Sequence, residues 1–128
     1  MVVAGLVLAG VAALVHVYIF YLESIVWTGR KARSIFGISA EEAQATKELA
    51  FNQGFYNLFL AVVAIVGIVL VAVGQTGAGA ALVFAGTGSM FAAALVLFLS
   101  SPSKRGAAVK QGLVPLLGVI ALAVGLSL

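Results

Sequence analysis

Four stretches of the chain, at about positions 2–27, 49–73, 78–99 and 106–128, run on apolar side chains and carry at most one charged residue each. A helix rises ~1.5 Å per residue, so each stretch suffices to cross a hydrocarbon core of ~30 Å. The first predicted span ends at Gly29, Arg30, Lys31 and Arg33. Ser39 followed by Glu42 then spells a capping box, which starts a helix near Ala40. Nothing breaks the pattern between Glu41 and the apolar run from Leu49, so one helix is expected to continue from about 40 to 73. Gly74 to Gly77 reads as a tight turn, and Ser100 to Arg105 with Pro102 as a second polar loop. Pro115 removes a backbone donor inside the last span and predicts a bend there.

Composition says what solvent these helices need. Apolar residues make up 63% of 128, charged residues 9%, and the mean hydropathy is +1.23. A water-soluble domain of this size has no means of hiding that much apolar surface. The expected architecture is therefore all-α, a single domain over 1–128 forming an integral membrane bundle of four transmembrane helices, with the lipid bilayer as its partner. The N-terminal run lacks a basic leader and a cleavage site and continues through His16 to Glu23, so it reads as a permanent span. No acylation signal is visible.

Charge orients the bundle. The net charge is +3, and all seven basic residues, Arg30, Lys31, Arg33, Lys47, Lys104, Arg105 and Lys110, fall at two of the three connections. The positive-inside rule places loops 29–39 and 100–105 in the cytoplasm, with the turn at Gln75 and both termini on the other side of the cell's inner (plasma) membrane. Basic residues confined to helix ends are no nucleic-acid footprint. The two halves run in the same direction, which is not the inverted repeat of many transporters. Gly86, Gly88, Ser89, Ala92, Ala93 and Ala94 give the third span a surface suited to close helix packing. Without cysteine there is no thiolate or disulfide chemistry, and with one histidine no His-rich metal site; no metal and no cofactor are expected. Phosphate loops, nucleophile elbows and HExxH motifs are missing.

The candidate chemistry lies in the first half. His16, Phe20, Glu23 and Trp27 recur at spacings of four, three and four, which stacks them on one helix face. Ionisable groups inside a span are costly and seek a partner or a wet cavity. On the second span Glu48, Asn52 and Tyr56 stack at spacings of four, with Gln53 and Asn57 in the neighbouring row, so that together they read as one broad polar face. Antiparallel neighbours would bring that face to the Glu23 stripe. The alternatives are structural: Glu23 reaching the interface or tying to Arg30 or Lys110, His16 as a hydrogen-bonded core residue, Trp27, Tyr18 and Tyr21 as interface aromatics, and the Asn52, Gln53, Tyr56, Asn57 cluster as interhelical glue. Lys110 and Gln111 either complete a pocket or, for Lys110, reach phosphate headgroups.

His16, Tyr18, Ile19, Phe20, Leu22, Glu23 and Trp27, then Phe36 and Gly37, then Asn52, Gln53, Gly54, Tyr56 and Asn57 together resemble the small bacterial four-helix membrane proteins grouped as the DUF1304 family. That family joins a His and a Leu-Glu pair on its first helix to an Asn-Gln-Gly-x-Tyr-Asn run on its second. It commonly continues Gly-Phe-Leu-Ala, where this chain has Leu58 before Phe59, Leu60 and Ala61. The resemblance implies an integral membrane protein and points to His16, Glu23, Asn52, Gln53, Tyr56 and Asn57. It implies no reaction.

Three functions compete. In the first, a pocket near the cytoplasmic side binds a small lipophilic substrate and acts on it by isomerisation, cyclisation or hydration. Glu23 and His16 are then the acid-base pair, and Asn52, Gln53, Tyr56, Asn57 and Trp27 the binding residues. In the second the chain is a small proton-coupled transporter working as a homo-oligomer. In the third it is a structural or accessory subunit whose polar face pairs with another membrane protein. Fixed amides and a tyrosine around one carboxyl group favour the first.

Overall fold

Long apolar sequence without a breaker folds as helix because hydrocarbon offers no partner for an open backbone amide. A computed structural model describing residues 1–128 is helical throughout and has no strand. The elements are α1 (Val2–Phe20), α2 (Arg30–Phe36), α3 (Ala40–Ala45), α4 (Lys47–Ala72), α5 (Thr76–Ser100) and α6 (Arg105–Ser127). A π-helical turn, Tyr21–Ile25, follows α1, and a 3₁₀ turn, Pro102–Lys104, precedes α6. Four helices are long and apolar enough to cross a membrane: Val2–Ile25, Lys47–Ala72, Thr76–Ser100 and Pro102–Ser127. Their outward side chains, Val3, Val7, Leu14, Val69 and Leu99 among them, are exposed, as surfaces that fit lipid contact should be.

The first span differs from a plain α-helix. Beyond Phe20 the ladder widens, and Val26 N–H donates to Tyr21 O at 3.2 Å across five residues instead of four. The polar connection that follows holds a helix of its own. Its run Arg30-Lys31-Ala32-Arg33 is made of good helix formers. It stops at Gly37, whose φ of 64° is left-handed and which therefore favours glycine.

The capping box forms as read. Ser39 Oγ accepts from Glu42 N–H at 3.1 Å, and Glu42 Oε2 accepts from Ser39 N–H at 2.8 Å. The helix it starts is interrupted at Thr46, where φ is −103° and ψ 6°. Backbone bonds continue on both sides, from Thr46 N–H to Glu42 O and from Ala50 N–H to Thr46 O. The Thr46 hydroxyl donates to Glu42 O at 2.6 Å, and this competition for a helix carbonyl accompanies the local distortion. α6 runs on through a buried Pro115.

The chain divides into two compact units. One is Met1–Val15 with Leu60–Leu128, the other His16–Phe59. The core of the first includes Ala9, Val83 and Leu122, packed by Val2, Leu6, Ile68 and Phe84. Backbone approach is closest at glycines: a Cβ on Gly67 would lie 2.6 Å from Val83 N, and one on Gly5 2.6 Å from Leu122 N. Thr87 is fully buried there and satisfies its hydroxyl on Val83 O at 2.6 Å. The second unit is held by Leu22, Ala32, Ala43 and Ala50, and by edge-on pairs of Phe20 with Phe55 and of Trp27 with Phe36, at centroid distances of 5.1 and 4.9 Å.

Candidate functional site

Every candidate site residue except Lys110 and Gln111, which belong to the first unit, lies in the second unit, between His16 and Phe59. The π-turn decides how two of its polar side chains are presented. An α-helical period separates Glu23 and Ser24 by about 100 degrees, whereas the wider turn narrows that angle. Both residues engage the same helix, α4. Glu23 Oε2 accepts a hydrogen bond from Asn57 Nδ2 at 2.8 Å, and Ser24 Oγ donates to Phe51 O at 2.8 Å. The helices come close here because Gly54 is buried between these contacts. A Cβ on it would strike Ser24 Oγ and stand 3.1 Å from both Glu23 Cβ and Phe20 O.

Asn57 is fixed twice. Its amide nitrogen also donates to Gln53 O at 3.2 Å, so both of its N–H bonds are committed, one to its own helix and one to Glu23. Asn57 therefore holds one carboxyl oxygen of Glu23 in place. The pair is half-buried. Such an arrangement can present a carboxyl group of set orientation to a proton or to a hydrogen-bonding group of a ligand.

The remaining candidates take different places. His16 is buried, with 1% of its surface exposed, about two helical turns before Glu23 in the chain. Trp27 Nε1 donates to Thr46 Oγ1 at 3.1 Å and its ring meets Phe36, which ties the end of the first span to the start of α4. Asn52 and Gln53 are exposed, and Asn52 Nδ2 donates back to Glu48 O at 3.0 Å. Tyr56 is 64% exposed. The structure thus brings Glu23 and Asn57 together, and turns Asn52 and Tyr56 outward. No group of three His, Asp or Glu side chains gathers as a metal site would require.

Two residues with site-building contacts were not singled out from sequence. Ser24 had no legible signal, since a strict α-helix turns it about 100 degrees away from Glu23. Thr46 had none, because its partner Trp27 lies 19 residues earlier, across two helix ends.

A family model described as a protein of unknown function, DUF1304, matches residues 10–123. No curated protein and no solved structure matches the chain.

Proposed function

Since the chain belongs to the DUF1304 family and has four helices fit to cross a membrane, we propose that it is a single transmembrane domain with a site for a small lipophilic molecule, centred on Glu23. The bond from Asn57 to Glu23 carries this reading. It orients a carboxyl group within an apolar span through a side chain 34 residues away, on another helix. A π-turn is an unfavourable way to finish a helix and is often kept where it aims a side chain.

In this reading Glu23 gives or takes a proton from the polar end of the substrate, His16 is the second acid-base group, and Asn57 positions Glu23. Gln53 and Tyr56 border the open side of the site, and Trp27 shapes its end. The reaction class is isomerisation, cyclisation or hydration, each of which needs only positioned proton transfer. The distribution of basic residues supports loops 29–39 and 100–105 facing the cytoplasm of a cell bounded by this inner membrane, with both termini opposite. The test is organic extraction and mass spectrometry of the protein purified in mild detergent. A compound retained by the wild type and lost from Glu23→Gln is the expected result; identical extracts would remove the site.

A second reading, an accessory or self-associating subunit, draws on the outward Asn52 and Tyr56, which are poorly suited to lipid. Cross-linking in native membranes separates the two. Loss of a cross-linked species in Asn52→Leu, with the Glu23 ligand kept, supports an interface.

A further inference from the structure

We propose that α2 carries a binding site for a phosphate group, formed by Arg30, Arg33 and Ser34. The three residues stand at i, i+3 and i+4, on one side of the short helix, and together with Gly37 and Ile38 they line a depression of about 370 Å³. Arg33, one of the residues lining it, has a buried Nε with no hydrogen-bond acceptor in the protein. A buried guanidinium donor without an acceptor is costly, so such a group normally meets an anion. What this face offers is forked guanidinium donors beside a hydroxyl, the donor set that matches phosphate oxygens.

The surroundings favour a lipid headgroup as the source of that phosphate. Lys31 Nζ sits 6.0 Å from the centroid of the Tyr18 ring, and Tyr18 belongs to the span Val2–Ile25. On its other side α2 packs Phe36 against Trp27 at the end of the same span. The helix is thereby laid against the terminus of a membrane helix among interface-type aromatics, at the level where headgroup phosphates lie. A free phosphate or phosphate ester has the same chemistry and is separated from lipid by the test.

The full-length protein in a neutral detergent is titrated with short-chain phosphatidylglycerol, short-chain phosphatidylcholine or inorganic phosphate. Thermal unfolding is followed through Trp27, the chain's one tryptophan. Phosphatidylglycerol is expected to raise the melting temperature more than phosphatidylcholine, whose choline cancels the charge. Arg33→Gln should weaken its binding by about tenfold, the scale of one charge-assisted hydrogen bond, and Arg30→Gln with Arg33→Gln should abolish it. Arg105→Gln, which removes a cation from the other basic loop, should leave binding intact. Stabilisation by inorganic phosphate alone, with the same Arg33 dependence, supports the site and assigns it to a soluble phosphate. Phosphatidylglycerol binding that is unchanged in Arg33→Gln, or reduced equally by Arg105→Gln, overturns the proposal. If circular dichroism shows that Arg33→Gln is misfolded, Arg30→Gln and Ser34→Ala are read against the same criterion.

Discussion

Glu23 and Asn57 depend on each other unequally. Asn57 loses little if its partner becomes glutamine, because an amide oxygen still accepts its N–H bond, and the shape is kept. Glu23 loses its one fixed donor if Asn57 is truncated. Glu23→Gln should therefore change stability by less than about 1 kcal/mol, whereas Asn57→Ala should cost about 1–3 kcal/mol by stranding a polar group in an apolar span. Thermal unfolding in detergent measures both. If Glu23→Gln proves as costly as Asn57→Ala, the carboxyl is a structural tie.

Gly54 makes a sharper case, because two effects of opposite sign compete. Alanine is favoured over glycine in a helix by about 1 kcal/mol, yet a methyl group here would meet Ser24 Oγ and the carbonyl of Phe20. Overpacking against backbone costs about 1–3 kcal/mol and should win, so Gly54→Ala is expected to lower the melting temperature. A rise would mean that the two helices are free to part.

The π-turn is where sequence and structure separate at the level of elements. The four spans and the Ser39–Glu42 box were legible, because length, hydropathy and S-x-x-E spacing are local signals. The π-turn was not, since a 3.6-residue period places His16, Phe20, Glu23 and Trp27 on one stripe without it. Nor was the division of the polar face on α4. At about 100 degrees per residue, Tyr56 points about 100 degrees and Asn52 about 140 degrees away from Asn57, so a helix that aims Asn57 at Glu23 must turn the others outward. Sequence places such residues near one another but does not choose which of them faces the neighbour; Gly54 chooses, by marking where the backbones approach.

The role of the π-turn can be tested by removing its extra residue. Deleting Ile25 should restore an α-helical period while the residues beyond keep their direction, because a π-turn accommodates one extra residue, so the bond from Trp27 to Thr46 should persist. Unchanged Trp27 emission is the expected result. A red shift would show that the turn does not absorb the extra residue. α2 gives an independent check: its C-terminal Gly37 has left-handed backbone in open space, so Gly37→Ala should cost about 1 kcal/mol through conformation alone.

For the whole molecule, small residues set how closely the helices pack. In the unit formed by Met1–Val15 and Leu60–Leu128, a side chain at Gly67 would meet the backbone of Val83 and of Gly79, neither of which can swing aside. Gly67→Val should therefore destabilise that unit by more than about 3 kcal/mol, and Gly88→Val, in open space, by less than about 1 kcal/mol. Retained helical content and solubility in the two variants, measured in detergent, compare them directly. The contrast matters for function because it leaves the His16–Phe59 unit, with Glu23 and Asn57, chemically intact.

The most direct test of the Glu23 site is an experimental structure of the protein in lipid nanodiscs, examined beside the Glu23 carboxyl. The expected result is non-protein density of a compact, non-acyl molecule within hydrogen-bond reach of Glu23, with the Asn57 bond in place and the density gone in Glu23→Gln. A dry contact between Glu23 and Asn57, closed by side chains or covered only by acyl tails, would contradict a ligand site and leave the pair as a link between two helices.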